Sequence, residues 1–102
     1  MAKRIIWSPE AVADLEEIRD HIARDSENYA IAMVERVLAA VDRLPDFPLS
    51  GPRVAEYDDE AICQWVVAPY RVIYRVGAQS VDIAAVIHNA RDLRRALTGR
   101  QV

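Results

Sequence analysis

The sequence has little of what marks secreted, membrane-spanning or metal-dependent small proteins. Among its 102 residues there is one cysteine, so a disulfide framework is excluded and a reducing cytoplasm is the expected location. No apolar run approaches the roughly 20 residues that span a bilayer, and the N-terminal segment turns polar too soon for a secretion signal. The acidic run at residues 58–60 is interpreted as a solvated loop, so neither a metal nor a cofactor is expected. A chain of this size can build one hydrophobic core, which predicts a single domain over residues 1–102.

Charge is distributed unevenly along the chain. Residues 1–60 hold seven Lys/Arg against fourteen Asp/Glu, whereas residues 61–102 hold six Arg against two Asp. The formal net charge of −3 therefore joins an acidic first part to a basic second part. Arginine binds carboxylate and phosphate through two parallel hydrogen bonds. We expect an acidic partner to contact the C-terminal part; the alternative is that these arginines serve solubility alone.

Two amphipathic helices are predicted in the first half. Ser8 and Pro9 suit the start of the first helix, and residues 26–28 begin a second helix that Pro45 ends. Asp14 is assigned to the solvent face of the first helix. Together the helices form an antiparallel hairpin whose apolar stripes need a surface to pack on. The stripes are Ala11, Val12, Leu15, Ile18 and Ile22, then Ala30, Met33, Val34, Val37, Leu38, Val41 and Leu44.

Strand-forming segments supply that surface. They are predicted at residues 3–7, 61–67, 70–76 and 81–87, with a short strand near 53–57. Residues 77–80 form a hairpin turn, and one or two helical turns follow Arg91. The resulting fold class is α+β: an N-terminal strand, an antiparallel helix hairpin packed on a mainly antiparallel twisted sheet, and a short C-terminal helix.

The strand at residues 70–76 carries the most informative alternation. It places Tyr70, Val72 and Tyr74 on one face and Arg71 and Arg75 on the other. Because charged groups avoid a core covered by helices, the arginine face is expected to be open to solvent. In that setting Arg71 either binds a partner or forms a cross-strand ion pair with Asp82.

Several short motifs together resemble the RelE/ParE superfamily of bacterial toxins from type II toxin–antitoxin systems. They are WSPEA at 7–11, DLxxI at 14–18, PxxG at 48–51, PYRVIY at 69–74 and VIHxxR at 86–91. They cover nearly the whole chain in the order found in the superfamily. The resemblance implies a toxin of the plasmid-stabilisation family, but it specifies activity much less than it specifies fold.

Two mechanisms dominate that superfamily. RelE-like members cleave mRNA on the ribosome with lysines on the strand before the Tyr-Arg motif, arginines and a C-terminal tyrosine. ParE-like members poison DNA gyrase and have no known hydrolytic site. Here the strand at 61–67 has no lysine or arginine, and no tyrosine follows Tyr74. A net charge of −3 also suits ribosomal RNA poorly. The resemblance therefore favours a ParE-like gyrase inhibitor that is not an enzyme; the alternatives are a RelE-like endoribonuclease and a non-toxic module that only binds an antitoxin.

The candidate site residues follow from these alternatives. A ribonuclease would use Arg71, Arg91 and His88, because metal-free RNA cleavage needs a phosphate clamp and an acid or base near neutrality. His88 has an alternative role as a structural strand-end residue. Cys63 is expected to be a small buried hydrophobe. The candidate partner-binding residues are Arg71, Arg75, Arg91, Arg94, Arg95 and Trp65.

Partners are implied by the resemblance. A toxin of this kind is neutralised by a cognate antitoxin whose partly disordered C-terminal segment folds onto it. The C-terminal arginines and any apolar surface left on the helix hairpin are the predicted docking surfaces. The cellular target would be DNA gyrase or, in the alternative, the ribosome and its mRNA, with no membrane involved.

Overall fold

Residues 3–49 and 51–102, which the computed structural model describes, form four strands and three helices. Their order is β1 (Arg4–Trp7), α1 (Pro9–Ala23), α2 (Glu27–Asp42), β2 (Ile62–Val67), β3 (Tyr70–Val76), β4 (Ser80–His88) and α3 (Leu93–Ala96). The predicted α+β class is confirmed. Within the described ranges, no helix combines the length and the apolar character that crossing a bilayer requires.

Serine side chains start both long helices, as predicted. The Ser8 hydroxyl accepts a hydrogen bond from the Ala11 N–H at 3.0 Å, and the Ser26 hydroxyl accepts one from the Tyr29 N–H at 3.2 Å. Each bond satisfies one of the N–H groups that a helix leaves free at its first turn. The second helix ends at Asp42, two residues before Leu44, the last position of the predicted apolar stripe.

The sheet has the order β1-β4-β3-β2. β2, β3 and β4 form an antiparallel meander, and β1 pairs with β4 in parallel. The Gly77 N–H donates to the Ser80 carbonyl at 2.8 Å and closes the predicted turn between β3 and β4. The predicted strand at 53–57 is wrong: this segment contributes one isolated bridge, between Arg53 and Cys63.

One face of the sheet packs under the helix hairpin, as the alternation in β3 predicted. Tyr70, Val72 and Tyr74 lie on this face and are at most 8% exposed. The buried members of this core are Ala11, Val37, Ala40, Val41, Leu44, Cys63, Val67, Tyr70, Val72, Tyr74, Val81, Ile83 and Val86.

The opposite face is also covered, which corrects the expectation of an open arginine face. The loop between α2 and β2 and the segment from α3 onward form a second core there. Arg71 is consequently only 7% exposed. The second core consists of Val54, Ile62, Ile73, Ala85, Ile87, Leu93 and Leu97, with Tyr57 and Val102 packed against it.

A bulge in β4 changes which residues of that strand face each core. Tyr74 pairs with Ile83 and Ile73 pairs with Ala85, so Ala84 is an extra residue. The extra residue shifts the alternation by one: Ile83 faces the helices, whereas Ala85 and Ile87 face the second core. A strand buried on both faces has a nearly continuous apolar sequence, and residues 83–87 have one.

Asp14 is buried, which contradicts its assignment to the solvent face of α1. Its carboxylate accepts two hydrogen bonds of 2.7 Å from the Arg100 guanidinium and one of 3.0 Å from the Val86 N–H. Val86 lies on β4 beyond the last residue paired with β1, so its N–H has no strand partner on that side. Asp14 therefore takes the place of a neighbouring strand and ties the C-terminal segment to α1.

Candidate functional site

Arg71 is held by two neighbours on the second face of the sheet. Its Nη2 donates to Glu56 Oε2 and its Nη1 to Gln64 Oε1, both at 2.9 Å. Gln64 lies on β2, two residues from Val66, the direct cross-strand partner of Arg71. The hydrogen bond from Arg71 holds the pKa of Glu56 below its usual range, so this pair is ionised at neutral pH. The expected Arg71–Asp82 pair is wrong, because Asp82 stands opposite Arg75.

Two further C-terminal arginines are paired with acidic residues of the first half. Arg75 donates to Asp59 at 2.9 Å, and Arg100 forms the two-pronged contact with Asp14. With Arg71 on Glu56, three of the six C-terminal arginines have their charge neutralised within the fold. The charge asymmetry of the sequence is therefore largely cancelled in three dimensions.

The remaining three arginines are exposed near the C-terminal helix. Arg94 donates to the Glu56 carbonyl at 2.5 Å, while Arg91 and Arg95 form no ion pair within the described residues. This cluster is what the structure retains of the predicted basic surface, because Arg71 is buried and Arg75 is only partly accessible.

His88 and Arg71 lie on different faces of the sheet. His88 stands opposite Tyr70 in the strand register, and the two rings form an edge-to-face contact with centroids 5.6 Å apart. Paired residues share a face, so His88 lies on the helix side and Arg71 on the other. The three candidate ribonuclease residues are thus divided: His88 and Arg91 line one cleft, and Arg71 does not.

The cleft beside His88 has a volume of about 390 Å³. Glu17 and His21 of α1 line it together with His88 and Arg91. The His88 Nδ1 accepts a hydrogen bond from the Ala90 N–H at 3.0 Å, which leaves Nε2 as the nitrogen that could exchange a proton with a ligand. Among the described residues, no group of three His, Cys, Asp or Glu side chains is placed to hold a metal ion.

The buried Tyr74–Cys63 pair is unsuited to proton transfer. The Tyr74 hydroxyl accepts a hydrogen bond from the Gly51 N–H at 3.2 Å, and burial raises the pKa of Tyr74 to about 12. Burial also raises the pKa of the Cys63 thiol, so both groups are protonated at neutral pH. The prediction of Cys63 as a small buried hydrophobe is confirmed, since it is 1% exposed.

Trp65 lies on the helix side of β2 and is partly buried. The Arg43 guanidinium lies 5.9 Å from the centroid of its ring, within cation–π range. Trp65 also lines a pocket of about 200 Å³ with Leu44 and Phe47. One part of the ring belongs to the helix-side core, and the rest remains available for contact with a partner.

An apolar groove remains open along the helix hairpin. Val12 and Leu38 were predicted to be buried, but they are 43% and 41% exposed. Both line a groove that α1 and α2 form with Trp7 of β1. The groove has a volume of about 280 Å³ and is lined by Trp7, Val12, Leu15, Glu16, Arg19, Val34 and Leu38.

Glu56, Gln64 and Asp14 were not among the predicted site residues, although they hold two of the six C-terminal arginines. Glu56 stands in a loop with four other acidic residues, and nothing local distinguishes it from them. What places Glu56 against Arg71 is the position of the loop over β3.

Comparison with known proteins agrees with this architecture. The sequence profile described as "ParE toxin of type II toxin-antitoxin system, parDE" matches residues 5–93. The protein named Toxin RelE2 from Caulobacter vibrioides is 34% identical over 88 residues, which are 86% of this chain and 97% of that protein.

Two solved structures share the fold. "Chromosomal ParDE TA system from P. aeruginosa" has a TM-score of 0.71 at 19% identity and covers 85% of this chain and 96% of its own. "The structure of YoeB dimer from Staphylococcus aureus" has a TM-score of 0.60 at 15% identity and covers 83% of this chain and 94% of its own. With the family profile spanning most of the sequence, the chain belongs to the ParE toxin family of type II toxin–antitoxin systems.

Proposed function

We propose that this toxin inhibits growth by binding a cellular protein, with DNA gyrase as the target, and not by cutting RNA. The observation that carries the proposal is the state of Arg71: its guanidinium is buried and held by Glu56 and Gln64. A residue that clamps an RNA phosphate must be reached by a polyanion, whereas Arg71 is covered in the free toxin by a loop that also carries Asp58, Asp59 and Glu60. The absence of lysine and arginine from β2 supports the same conclusion.

A second candidate function, ribonuclease activity, is favoured by one observation. His88 and Arg91 line the same cleft as His21 and Glu17, so an acid or base and a cation stand side by side. Cleavage there would have to proceed without Arg71, which lies on the other face of the sheet.

Induction of the chain without its antitoxin tests both functions together. We expect growth arrest with loss of negative supercoiling in a reporter plasmid, unchanged mRNA ends, and inhibition of purified gyrase by the purified toxin. Cuts in ribosome-bound mRNA that disappear in a His88→Ala variant would establish the ribonuclease instead. Normal growth after induction would indicate the third alternative, a non-toxic antitoxin-binding module.

A cognate antitoxin is the partner that membership of a toxin–antitoxin family provides. We propose that an apolar segment of the antitoxin docks in the groove of the helix hairpin. The groove is apolar along its floor, and Glu16 and Arg19 at its rim can orient a charged partner. The exposure of Val12 and Leu38 supports this, because a docked partner would remove their apolar surface from water.

A Leu38→Glu variant is expected to weaken antitoxin binding at least about tenfold, because docking would bury a carboxylate against apolar atoms. The measurement is isothermal titration calorimetry with the purified antitoxin. The matched control is Ala32→Glu, which adds the same charge to an exposed position of α2 outside the groove and should leave the affinity unchanged. Equal losses in the two variants would place the docking surface elsewhere.

A further inference from the structure

Arg71 carries an unusual defect in its hydrogen bonding. Its side chain is 9% exposed, and Nη1 and Nη2 have partners, but Nε has none. Among the described residues it is the one buried side-chain nitrogen or oxygen without a hydrogen bond. Buried donors are nearly always paired, so an orphan of this kind points to a group that belongs there.

The position of the unpaired Arg71 Nε indicates the geometry of the group that would bind there. Nε–H and one N–H of Nη2 point in the same direction and can together bind the two oxygens of one carboxylate. Glu56 contacts Nη2 only, through Oε2. The internal carboxylate therefore uses only the Nη2 donor. A carboxylate lying in the plane of the guanidinium, along the edge formed by Nε and Nη2, would accept hydrogen bonds from both.

A second guanidinium stands at the same place. Arg94 of α3 donates to the Glu56 carbonyl, and its positive charge contributes to the lowered pKa of the Glu56 carboxyl. Arg94 is exposed and the Glu56 side chain is 34% exposed. Glu56 can therefore swing out into solvent by rotating its own side chain, without opening the buried contacts of Val54 beside it.

We propose that Arg71 and Arg94 form a carboxylate-binding site that Glu56 fills in the free toxin, and that an acidic side chain of a partner protein displaces it. The group already present is a carboxylate, so the site accepts that chemistry. A nucleic-acid phosphate fits less well, because Asp58, Asp59 and Glu60 lie in the same loop and repel a polyanion. The inference does not depend on gyrase being the target.

The test removes the Glu56 carboxylate by substitution and measures the binding of added anions to the purified toxin. An acetylated and amidated peptide with a single glutamate among glycines and, separately, inorganic phosphate are titrated while the Arg71 Nε–H signal is followed by NMR. A Glu56→Ala variant is expected to bind the peptide at least about tenfold more tightly than the unmodified toxin, with a shift of that signal. Should this variant fold poorly, Glu56→Gln keeps the side-chain volume and is expected to show a smaller gain in the same direction.

The matched control is Glu60→Ala. Glu60 belongs to the same loop, its side chain is 90% exposed, and its partner is the exposed Arg53, so the variant makes the same change in net charge. It should bind as the unmodified toxin does, and Arg94→Ala combined with Glu56→Ala should reverse most of the gain.

Equal binding by the Glu56→Ala and Glu60→Ala variants, or an Arg71 signal that does not move, would overturn the proposal. Tighter binding of phosphate than of the peptide would overturn the choice of carboxylate. Because these are binding measurements, their failure is independent of any result on growth or supercoiling.

Discussion

An Asp14→Ala variant is expected to lose roughly 3–5 kcal/mol in free energy of unfolding. The substitution leaves the Arg100 guanidinium, whose side chain is only 17% exposed, without its ionic partner. It also leaves the Val86 N–H at the edge of β4 without an acceptor. Removing one member of a buried ion pair is costly because the charge that remains has already lost its water. Urea unfolding followed by circular dichroism measures the change.

Asp20→Ala provides the comparison on the same helix. Asp20 pairs with Arg19 at the surface, where the two side chains are 68% and 50% exposed, so its loss should cost at most about 1 kcal/mol. Asp14→Asn should fall between the two variants, because the amide oxygen can still accept from Val86. A loss of less than about 1 kcal/mol in Asp14→Ala would mean that the C-terminal segment is not held by this contact.

A Gly51→Ala variant is expected to lose roughly 3 kcal/mol, the upper part of the range for overpacking. A Cβ at this position would lie 2.2 Å from the Gln64 carbonyl oxygen and 2.5 Å from the Tyr74 hydroxyl. The carbonyl belongs to the backbone of β2 and cannot rotate away as a flexible side chain would. The strand or the loop must move, which would also disturb the hydrogen bond between Gly51 and Tyr74.

Gly77→Ala separates this steric effect from the general effect of replacing glycine. Its Cβ would lie 3.4 Å from the nearest atom, the Ser80 carbonyl oxygen, which is an ordinary contact. We expect its stability to change by less than about 1 kcal/mol, since alanine also restricts the unfolded chain. Thermal melts of both variants decide the matter, and similar melting temperatures would show that the close approach at Gly51 relaxes cheaply.

Local patterns predicted the elements because the reasons for those elements are local. Ser8 and Ser26 start helices because a hydroxyl one turn before a helical N–H can accept from it. β3 was predicted with its observed ends, since the alternation of Tyr70, Val72 and Tyr74 is a property of any strand with one buried face. The predictions that were wrong are the end of the second helix at Pro45 and the strand at residues 53–57. In both places, contacts within turns and loops determine where regular structure ends.

The candidate site could be predicted only in part. The sequence indicated that Arg71 lies opposite the helix-covered face, and the structure agrees with that placement. It did not indicate that this second face is covered too, because the covering depends on tertiary contacts such as that of Glu56 with Arg71, which no local pattern specifies. The separation of His88 from Arg71 was equally hidden, since it depends on which face each residue of a paired strand occupies.

By itself the sequence determined the order of helices and strands, the face of β3 that meets the hairpin, and the family. Those features depend on periodicity and caps, which act over a few residues. Tertiary structure alone decided the state of the charges: three of the six arginines that make the second part of the sequence basic are neutralised by Glu56, Asp59 and Asp14. The physical reason is that ion pairing depends on distance in space, and folding brings the acidic first half within about 3 Å of the basic second half at these points.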